Sequence, residues 1–331
     1  MTDALADLLA ALVEAESPSS APDAVAACGR VVSDAAVQLL GQEPEEVVVE
    51  DRTHLRWRFG SSPTQVVLIG HLDTVWPLGT IDRWPFTVTD GVATGPGAFD
   101  MKAGIVQLLH ALARLDDLDG VAMLLTADEE IGSPTSRALV EETAEGARAA
   151  LILEHSAGAA LKTARKGVSN YEVVVRGRAA HAGLEPEKGA NATVEMAFAV
   201  LAINALAQPL LGTTVTPTVM QSGTATNVVP AEAVLQVDVR TATPDEQRRV
   251  DIAARRLIAT VPGTTIEVRG GPNRPPLPAT ASADLFARAQ RIATELGQEP
   301  LTSVEVGGGS DGNFTAALGV PTLDGLGAVG D

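Results

Sequence analysis

Three aliphatic runs, at residues 66–69, 121–127 and 149–153, have the length and content of buried parallel strands. Each leads straight into histidine or carboxylate. His71 and Asp73 follow the first, Glu129 and Glu130 the second, Glu154 the third. Helical periodicity fills the gaps. Leu5, Leu8, Leu9, Leu12 and Val13 recur at helical spacing ahead of Pro18, and further helices are expected over residues 22–40, stopping at Gly41, and over 102–115 and 136–143. Shorter strands are expected at 47–50 and 55–59. Strands alternating with helices predict an α/β domain, a mostly parallel sheet with flanking helices.

After Gly167 the pattern changes. Tyr171, Val173 and Val175, and later Ala233, Leu235, Val237 and Val239, alternate with more polar neighbours, which suits an antiparallel sheet with one covered face. Helices over 191–207 and 244–261 complete an α+β segment. It is expected to close at a hinge or linker over the Gly/Pro-rich residues 270–276. A helix over 281–296 and the loop Gly307-Gly308-Gly309 read as a return to the first domain. The expected organisation is a discontinuous domain, 1–166 and 277–331, interrupted by an inserted domain, 167–276. No internal repeat or low-complexity tract is evident.

Composition narrows the function. A chain of 331 residues with 45% hydrophobic and 20% charged residues reads as soluble and globular, with about two domains. The net charge of -18 argues against a nucleic-acid partner and against an anionic membrane surface, and is read as solubility. Cys28, the single cysteine, rules out an internal disulfide and a thiolate metal site, so any metal must use histidine and carboxylates. The N-terminus is acidic where a signal peptide would be basic, and no apolar stretch reaches spanning length; a cytoplasmic location is expected.

A histidine at one strand end or a Glu-Glu pair is weak evidence by itself, since each is common in structural or solvated roles. Four such positions at one sheet edge, counting Asp100 after the Gly95-Pro96-Gly97 turn, repel one another unless a cation neutralises them. A divalent metal held by imidazole and carboxylates is the economical choice.

The motifs GHLDTV, GPGAFDMKAG, ADEEIGS, the Glu154 strand end, AHAG, TNVVP, DVR and GGGSDG occur in this order. Together they resemble the M20 family of co-catalytic zinc metallopeptidases, in the style of its glutamate-carboxypeptidase branch, over nearly the whole chain. The resemblance implies two divalent metal ions, zinc first and cobalt or manganese as alternatives, bridged by Asp100. His71 and Glu154 would complete one ion and Glu130 would serve the other. Asp73 would orient the His71 ring, and Glu129 would be the general base for water. A cis peptide after Asp100 is implied as well. The inserted domain would be a lid and dimerisation domain of a homodimer. Its His181 would stabilise the oxyanion in the partner's site; taken by itself, His181 reads as a turn residue beside Gly183. Asn227 and Arg240 match substrate-binding positions. Residues Gly307 to Ser310, with Gly308 and Ser310 as the donors singled out, read either as a nest for a substrate carboxylate or as a surface turn. Arg274 reads either as a partner for a second carboxylate or as a linker arginine.

The family continues past this point to a histidine ligand of the second ion. None of His54, His71, His110, His155 and His181 fills that place, His155 because alternation should turn it away from Glu154. The expectation is therefore a C-terminal truncation. The leading functional reading is amide hydrolysis next to a free amino-acid carboxylate, on a small peptide or N-acyl amino acid. An aminoacylase or deacetylase is the alternative, and a catalytically incomplete binding protein of the same fold is the competing class. A nucleotide-cradle reading of the glycine loops is disfavoured because they lack the spacing and the Lys-Ser/Thr of such loops.

Overall fold

The computed structural model describes residues 3–330. In chain order the first part comprises α1 (Asp3–Glu14), α2 (Pro22–Leu40), β1 (Glu45–Val49), β2 (Arg52–Arg58), β3 (Val66–His71), β4 (Thr87–Thr89), β5 (Val92–Thr94) and α3 (Ala103–Leu112). It continues with β6 (Val121–Thr126), α4 (Arg137–Ala144), β7 (Ala149–Ile152) and β8 (Leu161–Arg165). The middle holds β9 (Gly167–Arg176), α5 (Ala192–Asn204), β10 (Thr214–Ser222), β11 (Glu232–Thr241), α6 (Pro244–Arg255) and β12 (Thr265–Arg274). The chain then adds α7 (Ala279–Glu295), β13 (Ser303–Val306), α8 (Gly312–Ala317) and β14 (Thr322–Leu323). These elements form two compact units. One contains the chain up to Arg165, residues 277–306 and residues from 310 onward; the other contains 166–276 and 307–309.

The first unit is built on a six-stranded sheet in the order β1-β2-β6-β3-β7-β14. β3 pairs in parallel with β6 and β7, and β14 with β7, while β1 and β2 form an antiparallel edge. Both faces are covered, which is why β3 is apolar from Val66 through Ile69. Leu68 and Leu72 join the core on the side of α1, α2 and α3, and Val67 and Ile69 join the core with Leu139, Val140 and Phe314. α2 ends where expected, with Gly41 in the left-handed region at φ 73° and its N–H donating to the Val37 carbonyl. Arg165 and Leu277 exchange backbone hydrogen bonds of 3.0 Å in both directions, so the points where the chain leaves and returns to this unit are neighbours.

The second unit is an antiparallel sheet, β10-β11-β9-β12, with α5 and α6 on it and a core of Tyr171, Val173, Val175, Met196, Leu235 and Val237. The protein is thus α/β with a mostly parallel sheet plus a separate antiparallel α+β unit. The hinge expected at 270–276 is a correction: residues up to Arg274 extend β12 along β9. Gly270 (φ 76°) and Gly271 (φ 147°) take conformations that L side chains avoid, and Pro272 is tolerated because β12 is an edge strand with a bulge before Arg274.

Candidate metal centre

The ends of β3, β6 and β7 lie side by side, because these strands are parallel neighbours, and the polar residues after them converge. His71, 2% exposed, directs Nε2 to Asp100 Oδ1 at 3.2 Å and to Glu154 Oε1 at 3.5 Å. Glu129 offers a further ligand atom beside His71 and Glu154, and Glu130 one beside His71 and Asp100; within each group the atoms lie within 4.8 Å of one another. Asp100 sits in an irregular turn over Ala98–Lys102, and the Asp100-Met101 peptide is cis. The site is close-built. A Cβ on Gly104, in the first turn of α3, would meet the Leu153 carbonyl oxygen at 2.2 Å, so only glycine lets α3 start this near Glu154.

Local chemistry fixes each donor. The His71 ring meets Asp73 through the backbone: Nδ1 is 2.8 Å from the Asp73 carbonyl oxygen and 3.6 Å from its carboxylate. The Asp73 carboxylate instead accepts the Glu129 and Glu130 amides at 3.1 and 3.2 Å and the Ser19 hydroxyl at 2.6 Å. It therefore ties the β3 end to the Glu129-Glu130 segment. That segment is a 3-10 turn, Glu129–Ile131, so it is helical divergence rather than strand alternation that gives the two glutamates different directions. Beneath it Asp128 accepts the Thr135 amide and the Thr135 and Ser136 hydroxyls, and His54 bonds Thr135 and the Ala127 amide. His54 is thus a buried structural histidine.

Glu154 is braced by cations. Its Oε2 lies 3.2 Å from Arg165 Nη2 and 3.7 Å from Lys162 Nζ, and Arg165 pairs in turn with Asp324 at 2.7 and 2.9 Å. Burial pushes the Glu154 carboxyl up, but the His71 hydrogen bond and the charges of Arg165, His71 and Lys162 outweigh it and hold the group well below the usual range. Burial lowers His71, and the surrounding Asp100, Asp73 and Glu154 carboxylates more than reverse this. Glu130 goes the other way: burial raises it, His71 opposes, and Asp100, Asp73 and Glu154 raise it further, to about 7. Without a cation, this cluster needs protons.

The donor set fits a divalent metal. Ligand atoms about 2.1 Å from a tetrahedral ion stand about 3.4 Å apart, and the His71 to Asp100 and His71 to Glu154 separations of 3.2 and 3.5 Å match that edge.

Other expected residues fall elsewhere. Ser310 is a correction: it is buried, its amide donates to Asn313 Oδ1 at 2.9 Å and its hydroxyl to Asp324 at 2.6 Å, so it secures the Arg165 partner and has no amide to offer a carboxylate. Arg274 ends β12 and is 5% exposed, which removes the linker alternative. Arg240 pairs with Asp238 at 2.7 Å. His181 and Asn227 lie on adjoining exposed segments of the second unit, where the Ala182 amide donates to the Asn227 carbonyl. His181 Nδ1 accepts the Gly183 and Leu184 amides, which leaves the ring proton on Nε2.

Sequence reasoning missed Arg165 and Lys162, which carry no motif that sets them apart from strand surface residues. It also missed the position of His155. β7 stops at Ile152, so alternation does not extend to Glu154 and His155, and His155 Nε2 approaches Asp100 Oδ2 at 3.7 Å.

An α/β fold with histidine and carboxylates gathered at the carboxyl edge of its parallel strands is that of a metal-dependent hydrolase. The chain belongs to peptidase family M20/M25/M40, whose sequence profile matches residues 67–331. It is 30% identical over 281 residues to carboxypeptidase G2 of Pseudomonas sp. (strain RS-16), covering 82% of this chain and 68% of the relative. Succinyl-diaminopimelate desuccinylase of Wolinella succinogenes is 26% identical over 282 residues, 80% of this chain and 76% of the relative. The fold is shared with the crystal structure of aminopeptidase PepT from Bacillus cereus, at TM-score 0.73 and 22% identity, covering 98% of this chain and 90% of that one. Among the described residues no helix is long and apolar enough to cross a membrane.

Proposed function

We propose that this chain hydrolyses an amide bond next to a free amino-acid carboxylate, in the manner of a carboxypeptidase, with a C-terminal glutamate as a fitting leaving residue. The observation that carries the reading is the split between the two adjacent glutamates. Glu129 stands with His71 and Glu154, and Glu130 with His71 and Asp100. In this reading Asp100, His71 and Glu154 would hold one divalent cation, zinc in the first instance, and Asp100 with Glu130 would hold a second. Such cations, when bound, would supply Lewis acidity to the scissile carbonyl and a lowered pKa to water. Glu129 takes the proton from that water and delivers it to the departing amine nitrogen. Asp73 holds the His71 ring and the Glu129 and Glu130 amides in register.

The second unit acts as lid and dimerisation domain, with His181 donating from Nε2 to the oxyanion in the partner's site and Asn227, Arg240, Arg274 and the Gly308 loop recognising substrate. The exposed apolar side chains Val194, Phe198 and Leu201 on α5, and Val219 and Met220 on the edge strand β10, support a homodimer through this unit. A cytoplasmic setting goes with the reading. The test is Glu129→Ala, which abolishes hydrolysis while metal content stays near that of the unmodified chain, whereas Glu130→Ala loses metal. Unchanged turnover in Glu129→Ala refutes the mechanism.

The identity to succinyl-diaminopimelate desuccinylase favours a second reading, N-acyl-amino-acid deacylation, which uses the same centre. Comparing turnover of C-terminal glutamyl amides with that of N-succinyl and N-acetyl amino acids separates the two.

A further inference from the structure

The geometry points to His155 as a direct imidazole ligand, through Nε2, of a metal ion on the Asp100 Oδ2 side of the cluster, beside Glu154. This rests on the metal-centre reading above and adds to it a residue that the aligned motifs do not supply.

The ring is posed for the task. Nδ1 lies 2.9 Å from the Ser156 carbonyl oxygen, so Nδ1 carries the proton and donates it there, and Nε2 presents its lone pair. Metal-bound histidines commonly have their second nitrogen fixed by a carbonyl in this way. Nε2 faces Asp100 Oδ2 at 3.7 Å, the oxygen opposite the one that His71 approaches. With the ring neutral, neither atom brings a hydrogen to the other, and two lone pairs converge. Their separation is near the about 3.4 Å edge of a tetrahedral site. Asp100, Glu154 and His155 each offer an atom within 4.8 Å of the others.

The ring is also held. Phe99 stacks on it with centroids 4.2 Å apart at 35°. Lys162 Nζ lies 3.5 and 3.4 Å from the two ring nitrogens. The following residue is anchored too, because Ser156 donates through its amide and its hydroxyl to the Ala328 carbonyl at 2.8 and 3.1 Å. A half-exposed surface histidine needs none of these supports.

The test titrates the metal-free chain with Zn(II) alone against a chromophoric chelator and records the visible spectrum of the Co(II)-loaded protein. The unmodified chain is compared with His155→Phe, which keeps an aromatic ring against Phe99, with His155→Ala, and with His71→Ala as reference; circular dichroism checks each fold. The expected result is Zn(II) affinity weakened about tenfold or more in both His155 variants, with an altered Co(II) spectrum. Affinity and spectrum equal to those of the unmodified chain, with His71→Ala still losing metal, overturn the His155 assignment and leave the metal centre standing. No Zn(II) bound by the unmodified chain, or no effect of His71→Ala, overturns the metal-centre reading itself.

Discussion

Glu154 and Glu130 follow neighbouring strands, belong to one cluster and sit in opposite electrostatic settings. Glu154 lies against Arg165, Lys162 and His71, and its carboxylate is compensated by the protein. Glu130 faces Asp100, Asp73 and Glu154, with His71 as its opposing cation, and its carboxyl is pushed up to about 7. One donor is built in as an anion whether or not metal is present. The other holds its proton well into the neutral range unless a cation arrives. One part of the cluster is compensated by the fold itself, and the other is left for a ligand to compensate.

The largest effect is expected at Glu154. Glu154→Gln leaves Lys162 and one side of Arg165 buried without their anion, and the expected loss is about 3–5 kcal/mol of folding stability, read from denaturant unfolding of the metal-free chain. Glu130→Gln, by contrast, keeps or raises metal-free stability and abolishes uptake of the ion that Glu130 serves. Equal stability of the two variants would remove the distinction. A smaller effect comes from Arg165→Met, which frees Glu154 Oε2 from its anchor. Metal affinity should fall about 10–100-fold, measured by chelator competition, while Asp324 keeps its bond from Ser310.

The smallest effect is on pH. In the metal-free chain the folded Glu130 carboxyl titrates near 7 against an ordinary value of 4.5. Between those values the folded state binds more protons at this group than the unfolded state, so the contribution of Glu130 to stability is full below about 4.5, declines as pH rises to 7 and levels off above it. About 1 kcal/mol is expected after allowing for solvent screening. Thermal unfolding of chelator-treated protein across that window checks it, and Glu130→Gln should flatten the slope. Proton release on Zn(II) addition at pH 6 gives the same group a second readout.

Much of the centre was legible because strand-end position and residue type are both sequence-local. β3, β6 and β7 announce themselves by their aliphatic content, and the residues after them gather into the candidate metal cluster. What was not legible depends on geometry between distant segments. Arg165 matters because β8 and the residues after β14 bring it between Glu154 and Asp324, and no local pattern marks that. His155 was assigned away from Glu154 by a strand rule that had lapsed three residues earlier, at Ile152. The 270–276 stretch looked like a linker because glycine and proline are normally breakers, yet an edge strand with a bulge accommodates both. Ser310 fits a nest motif on sequence, and only the fold reveals that Asn313 has already taken its amide.

The paired hydrogen bonds between Arg165 and Leu277 also set the cost of the insertion. Closure entropy depends on how far apart the ends of a loop must be held and only weakly on what lies between them. For the first unit, residues 166–276 close across a single backbone bridge, as a hairpin turn would. The inserted unit is in that sense exchangeable: a short turn in its place would leave the strand ends, Arg165 and the Glu154 brace where they are, and other insertions could be carried at the same point without altering the sheet that holds the centre.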